Sequence, residues 1–90
     1  MTEITSSSSA RVDEILDARD LSCPMPLLRA KQALHKMPVG AVLQVLATDQ
    51  GSVRDFRAYV DLTAHELLQQ WQEQGVYYHV VRKGEAGPRP

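Results

Sequence analysis

The chain has 90 residues, of which 43% are apolar, and a formal net charge of −1 at pH 7. This length allows one domain with a small core, so we expect any chemistry to lie at the surface rather than in a large internal cavity. The low net charge excludes a strong overall attraction to nucleic acid or to anionic membranes. No apolar run approaches the roughly 20 residues that span a bilayer, and residues 1–10 lack a signal-peptide pattern, so we expect a cytoplasmic protein without membrane contact.

The two ends of the chain differ in composition from its centre. Residues 1–11 are rich in serine, and residues 84–90 are rich in glycine and proline. Both segments lack an apolar period and are predicted to be disordered tails. The globular domain is predicted to span residues 12–83.

The first half of this domain predicts a strand, a loop and a helix. Residues 12–16 suit a short strand, and residues 17–22 suit a loop. Apolar residues then recur at helical spacing from Leu27 to Met37, and Pro38 with Gly40 ends that helix.

The second half predicts a strand, a helix and a last strand around an ambiguous segment. Residues 41–48 are apolar and β-branched enough for a buried strand. Ser52 and Asp55 have the spacing of a capping box, which predicts a helix start and a capping role alone. Residues 65–72 favour a helix by propensity although their alternation permits a strand. Residues 76–81 favour the final strand.

Cys23, the single cysteine of the chain, precedes Pro24 and Pro26. One cysteine excludes an internal disulfide, and the absence of a Cys or His at ligand spacing speaks against a metal site. Pro24 at the first helical position would make Cys23 the N-cap, where the helix dipole favours the thiolate over the thiol. The pattern predicts a nucleophilic cysteine, and the alternative from the residues alone is a buried inert one.

The first helix carries a basic face beside this cysteine. Arg29, Lys31 and Lys36 are the candidate partner-binding residues, because a positive stripe can steer an acidic partner. A solvated surface is the alternative interpretation. Asp17 and Arg19 are candidates for orienting the cysteine loop, and a local salt bridge explains them equally well.

The segment Leu16–Leu27, centred on Cys-Pro-Met-Pro, resembles the start of the TusA/SirA/YeeD family. The hallmark of that family is a cysteine in a Cys-Pro-x-Pro motif that opens the first helix. Further matches stand in the family's order and approximate spacing at residues 39–40, 47–49, 52, 55 and 65–67. The resemblance covers roughly the whole globular part.

The resemblance implies a β-α-β-α-β-β two-layer sandwich of the α/β (α+β) class, with a four-stranded mixed sheet and two helices on one face. It makes residues 65–72 the third strand, paired with residues 76–82. It further implies a sulfur carrier, or sulfurtransferase, in which Cys23 accepts a persulfide sulfur and relays it to an acceptor protein. The implied donor is a cysteine desulfurase or a rhodanese-like protein, and the implied pathways are tRNA thiolation, molybdenum-cofactor synthesis and sulfur oxidation. A monomer without cofactor or metal and without direct nucleic-acid contact is expected.

Some positions depart from the family's pattern: Asp20 replaces a usual glycine, Gln50 a common proline, Tyr59-Val60 a frequent Phe-Cys, and Ala64 a frequent glycine. Asp20 brings an acid near Cys23, which would weaken thiolate stabilisation unless its side chain pointed away. Two alternatives stay open. One is a thiol redox protein whose partner supplies the resolving cysteine, and the other is a regulatory interaction domain in which Cys23 is dispensable.

Overall fold

The computed structural model describes residues 11–85, which form strands and helices in the order β-α-β-α-β-β. The strands are β1 (Glu14–Ala18), β2 (Val42–Ala47), β3 (Glu66–Glu73) and β4 (Val76–Arg82), and the helices are α1 (Met25–Lys36) and α2 (Gly51–Asp61). The predicted fold class is confirmed. The predicted tails fall mainly on residues 1–10 and 86–90, outside the described residues, so the domain boundaries at 12 and 83 stay predictions.

The four strands form one mixed sheet in the order β1-β2-β4-β3. β1 and β2 are parallel and are connected through α1, whereas β4 runs antiparallel to both β2 and β3. Gln74 and Gly75 join β3 to β4 with φ values of 51° and 80°. Two consecutive positive φ values are what a tight two-residue hairpin turn requires, and they fix the register of the last two strands.

Both helices pack on one face of this sheet. Alternate residues of β2, among them Leu43 and Val45, point to that face and are fully buried. They join Leu34 of α1, Phe56 of α2 and Val81 of β4 in one core cluster. Among residues 11–85, neither helix is long and apolar enough to cross a lipid bilayer.

Residues 66–73 form a strand although their local propensity favours a helix. β3 pairs with β4 at both of its ends, with one shift in register between Leu67 and Gln69. Gln70 on its inner side hydrogen-bonds to His79 of β4. These non-local contacts outweigh a propensity difference of a few tenths of a kcal/mol per residue. The helix prediction is wrong, and the strand implied by the family resemblance is confirmed.

The start of α2 differs from the predicted capping box. The helix begins at Gly51 with Gln50 as its N-cap, and the side chain of Gln50 makes no capping hydrogen bond. Ser52 instead lies buried with its Oγ 2.9 Å from Nε2 of His79, and Asp55 accepts a hydrogen bond from Cys23. The prediction that both residues serve capping alone is therefore wrong, because both make tertiary contacts.

Lys83 connects the end of β4 to the last turn of α1. Its Nζ donates to the carbonyl oxygens of Met37 at 2.7 Å and His35 at 3.3 Å. Carbonyls at a helix end lack partners within the helix, so a cation that binds them stabilises that end. We expect Lys83→Met to lower the free energy of unfolding by about 1 kcal/mol, measured by urea denaturation.

Lys36→Met is the matched control for this prediction. Lys36 is an exposed cation in the same helical turn. Its removal weakens only the interaction with the helix dipole, for an expected loss below about 0.5 kcal/mol. Equal losses in the two variants would contradict a specific contribution from the Lys83 hydrogen bonds.

Candidate functional site

Cys23 lies exposed in the loop between β1 and α1, directly beside the N-terminus of α2. The proximity is clear at Gly51, where an added Cβ atom would lie 3.6 Å from Cβ and 3.7 Å from Sγ of Cys23. The sulfur is therefore reached by solvent and lies between the starts of two helices rather than at one.

The first helical turn of α1 begins one residue later than predicted. The Pro24 carbonyl accepts the hydrogen bond of Leu28 N–H at 3.1 Å, so Pro24 is the N-cap and Pro26 lies in the first turn. Cys23 is the residue before the N-cap, since an N-cap is defined by the carbonyl that accepts the first helical bond. The prediction of Cys23 as N-cap is wrong by one position.

Two neighbouring loops build the site. β1 and β2 are adjacent and parallel, so the loops that follow them emerge at the same edge of the sheet. The backbone N–H of Asp20 donates to Oγ1 of Thr48 at 2.9 Å and ties these loops together. Asp20 has a φ of 69°, a left-handed conformation that glycine adopts most easily and aspartate tolerates. A glycine, which the family resemblance led us to expect at this position, would adopt the same conformation without steric strain.

The thiol of Cys23 donates a hydrogen bond to Asp55 Oδ2, with a sulfur to oxygen distance of 2.7 Å. This hydrogen bond, followed by partial desolvation and the negative charges of Asp55 and Asp49, raises the pKa of Cys23 above its usual value. The charge of Arg54 acts in the opposite direction. The prediction that the helix terminus makes Cys23 a stabilised thiolate is wrong, because a neighbouring carboxylate favours the protonated form.

Asp49 is held at this position by the start of α2. Its Oδ2 accepts the backbone N–H of Gly51 at 3.0 Å, and a Cβ atom on Gly51 would come within 2.9 Å of that oxygen. Because glycine has no Cβ atom, position 51 leaves room for the carboxylate of Asp49. The result is a pair of acids, Asp49 and Asp55, near one sulfur.

Sequence reasoning missed the residues that surround the thiol: Asp49, Gly51, Arg54 and Asp55. Cys23 and Asp55 are 32 positions apart, and only the parallel pairing of β1 with β2 brings their segments together. The available signal was the family resemblance, in which Asp49 and Asp55 were among the matching positions. The sequence separation of these residues from Cys23 gives no sign that they lie close to it.

Asp17 and Arg19 form an exposed local ion pair. Arg19 donates to both carboxylate oxygens of Asp17, from Nε and Nη2, each at 2.8 Å. These hydrogen bonds lower the pKa of Asp17 to about 2. The local salt bridge considered from the sequence is present, and a role in orienting the Cys23 loop stays a prediction.

The predicted basic face of α1 is exposed, and one of its members makes a contact within the fold. Arg29 and Lys36 face solvent. Nζ of Lys31 lies 5.1 Å from the ring centroid of Tyr59, a cation–π contact between α1 and α2. Binding of a partner by these three residues stays a prediction.

The first turns of α1 add exposed apolar surface next to the thiol. Met25 is 38% exposed and Leu28 is 41% exposed. Within residues 11–85, no group of three or more His, Cys, Asp or Glu side chains could hold a metal ion. The arrangement is a surface thiol with an acidic neighbour and an apolar margin, which suits sulfur chemistry with a second protein.

Comparison with known proteins supports this interpretation. A family model described as sulfurtransferase TusA matches residues 14–83. Over 74 residues the chain is 46% identical to the sulfur carrier protein TusA of Allochromatium vinosum, a match that covers 82% of this chain and 97% of that protein. Over 69 residues it is 49% identical to a putative sulfur carrier protein of Neisseria meningitidis serogroup A, covering 77% and 93% respectively.

A solved structure shows the same architecture. The crystal structure of a SirA-like protein from Desulfitobacterium hafniense matches with a TM-score of 0.56 and 26% identity, covering 80% of this chain and 99% of that chain. The resemblance deduced from the Cys-Pro-Met-Pro motif is confirmed. The chain belongs to the TusA family of sulfur carrier proteins.

Proposed function

We propose that Cys23 accepts a persulfide sulfur from a donor protein and relays it to an acceptor protein. The observation that carries this proposal is the exposed Cys23 thiol, the only cysteine of the chain, at the junction of two helix starts. A single cysteine can hold a sulfur atom without being converted to an internal disulfide. Its exposure lets the sulfur of a second protein reach it directly.

The transfer step is an exchange between two sulfur atoms without net oxidation. The Cys23 thiolate attacks the terminal sulfur of the donor persulfide, and a new S–S bond forms on Cys23. The S–S bond of the donor breaks, its cysteine leaves with the electron pair, and that cysteine takes up the proton released by Cys23. The second transfer repeats this exchange with an acceptor cysteine as the attacking group.

The surroundings of the thiol suit protein partners. Met25 and Leu28 offer an apolar margin, and Arg29 and Lys36 are exposed cations on the same helix. Protein interfaces typically combine an apolar centre with charged groups at the rim that raise the association rate. The donor that fits this chemistry is a cysteine desulfurase or a rhodanese-like protein, and the acceptor is a protein with a nucleophilic cysteine. The pathways proposed are tRNA thiolation, molybdenum-cofactor synthesis and sulfur oxidation.

The experiment that tests this function is intact-mass analysis after incubation with a sulfur donor. One sample contains a cysteine desulfurase with cysteine, and a second contains a rhodanese with thiosulfate. We expect an adduct of about 32 Da, removed by a reductant, since one sulfur atom is added to one thiol. Cys23→Ala is expected to show no adduct with either donor.

The control is wild-type protein whose Cys23 has been alkylated before the incubation. This blocked protein should gain no sulfur adduct. Absence of the adduct with both donors, in protein whose Cys23 still alkylates, would contradict the proposal. A mixed disulfide with the partner in place of a persulfide would favour a thiol redox protein instead.

A further inference from the structure

The hydrogen bond between Cys23 and Asp55 distinguishes the empty carrier from the loaded one. The thiol of Cys23 donates a hydrogen bond to the carboxylate of Asp55, at a sulfur to oxygen distance of 2.7 Å. A persulfide is more acidic than its parent thiol and carries a negative charge on its terminal sulfur. In the loaded carrier Sγ has no proton to donate, so this hydrogen bond exists only in the empty carrier.

The charged groups near Sγ of Cys23 also favour the empty carrier over the loaded one. Asp55 and Asp49 both disfavour a negative charge at Cys23, and Arg54 compensates them in part. A persulfide anion at this position is therefore repelled by the group that hydrogen-bonds the thiol.

We propose that Asp55 stabilises the empty thiol form of Cys23 relative to the persulfide, and so makes the loaded protein a stronger sulfur donor. This inference rests on the proposed function, because it concerns the equilibrium of the sulfur that Cys23 carries. Asp55 contacts Sγ of Cys23 directly. Through this contact it influences how readily the terminal sulfur of the persulfide is released.

The discharge reaction shows where this contribution enters. An acceptor thiol gives up its proton and attacks the terminal sulfur of the Cys23 persulfide, forming an S–S bond to the acceptor. The S–S bond on Cys23 breaks, and Sγ leaves with the electron pair and takes up the released proton. The Cys23–Asp55 hydrogen bond re-forms at this point, so its free energy favours discharge over loading.

The test compares wild type with Asp55→Asn, which keeps the size of the side chain and removes its charge. Asp61→Asn is the matched control, because it removes the same charge from the last residue of α2, about 9 Å from Asp55 along the helix axis. All three proteins are characterised by the pH dependence of alkylation of Cys23 by iodoacetamide. Each is then equilibrated with glutathione persulfide and glutathione, and the ratio of persulfide to thiol on Cys23 is measured by mass spectrometry.

We expect Asp55→Asn to be alkylated roughly three- to tenfold faster than wild type at pH 7.5, since loss of the carboxylate favours the thiolate. We expect its equilibrium ratio of persulfide to thiol to rise by a similar factor. Asp61→Asn is expected to match wild type in both measurements.

The outcomes separate this inference from the proposed function. A wild-type protein that takes up no sulfur from glutathione persulfide or from the protein donors would overturn both. A wild-type protein that loads normally while Asp55→Asn shows an unchanged persulfide ratio would overturn the inference about Asp55 alone. An unchanged alkylation profile in Asp55→Asn would overturn it as well.

Discussion

Phe56→Ala is expected to lower the free energy of unfolding by about 3 to 5 kcal/mol, the range for removing a buried aromatic side chain. Phe56 has no exposed surface and belongs to the core cluster between the helices and the sheet. Its ring stacks on that of His79 with 4.3 Å between centroids and 7° between planes. A domain of this size has a total stability near the low end of about 5 to 15 kcal/mol, so the variant should be close to unfolding at 37 °C.

Urea denaturation followed by circular dichroism measures this loss, with Leu62→Ala as the control. Leu62 follows directly after α2 and is 69% exposed, so its replacement should change stability by less than about 0.5 kcal/mol. A loss below about 1.5 kcal/mol for Phe56→Ala would show that the core closes around the missing ring.

The second large effect concerns the protonation of His79. Gln70 fixes its tautomer: the amide nitrogen of Gln70 donates to Val53 O at 3.2 Å, and its amide oxygen accepts from Arg57 Nε at 2.8 Å. The same amide nitrogen lies 3.0 Å from Nδ1 of His79, so Nδ1 must be an acceptor. Nε2 then carries the proton and donates to Ser52 Oγ at 2.9 Å. The ring is neutral and both of its nitrogens are satisfied.

Burial lowers the pKa of His79 to about 4 from an ordinary value of 6.5. Between these two pH values the unfolded chain binds a proton that the folded protein does not bind, so stability decreases as the pH falls. We expect the native state to lose about 2 to 3 kcal/mol from this group as the pH falls from 7 to 4. Above pH 6.5 the histidine is neutral in both the folded and the unfolded protein, so this loss of stability is absent there. Urea denaturation at a series of pH values between 4 and 7.5 measures it.

His79→Phe is the control for this pH dependence. The variant keeps an aromatic ring against Phe56 and leaves Ser52 and Gln70 without their partner, so it should be less stable at pH 7. Its stability should nevertheless fall less steeply with acidification than that of wild type, because the titrating group is gone. Parallel pH profiles for the two proteins would contradict the assignment to His79.

Much of the fold follows from local patterns, because most elements here carry their own signals. Helical spacing of apolar residues predicted α1, the spacing of Ser52 and Asp55 predicted the start of α2, and apolar β-branched runs predicted β2 and β4. The predicted bounds differ from those in the structure by no more than two residues. Helix propensity predicted β3 wrongly, because this segment is a strand only through its contacts with β4. Gln70 hydrogen-bonds to His79, and the ring of Trp71 stacks on that of Tyr78. Only the family resemblance assigned it correctly.

The nucleophile of the candidate site, Cys23, could be predicted from the sequence, but the residues that surround its thiol could not. The prolines around Cys23 indicate a rigid, functional cysteine, and the structure shows that thiol exposed. The sign of the pKa shift at Cys23 could not be predicted, because Asp55 decides it through a contact between distant segments. Local reasoning interpreted Asp55 with Ser52 as a capping box, since the spacing of that motif does not reveal which way the two side chains point.

The hydrogen bond from Asp20 to Thr48 has a consequence for how the family can diversify. The residues around the sulfur come from the short connections after β1 and β2 and from the helical turns that those connections open. The buried core lies to one side of them and includes Leu34, Leu43 and Phe56. Substitutions in the two connections are therefore expected to cost less folding free energy than substitutions in the core, because surface loops tolerate change better than packed interiors.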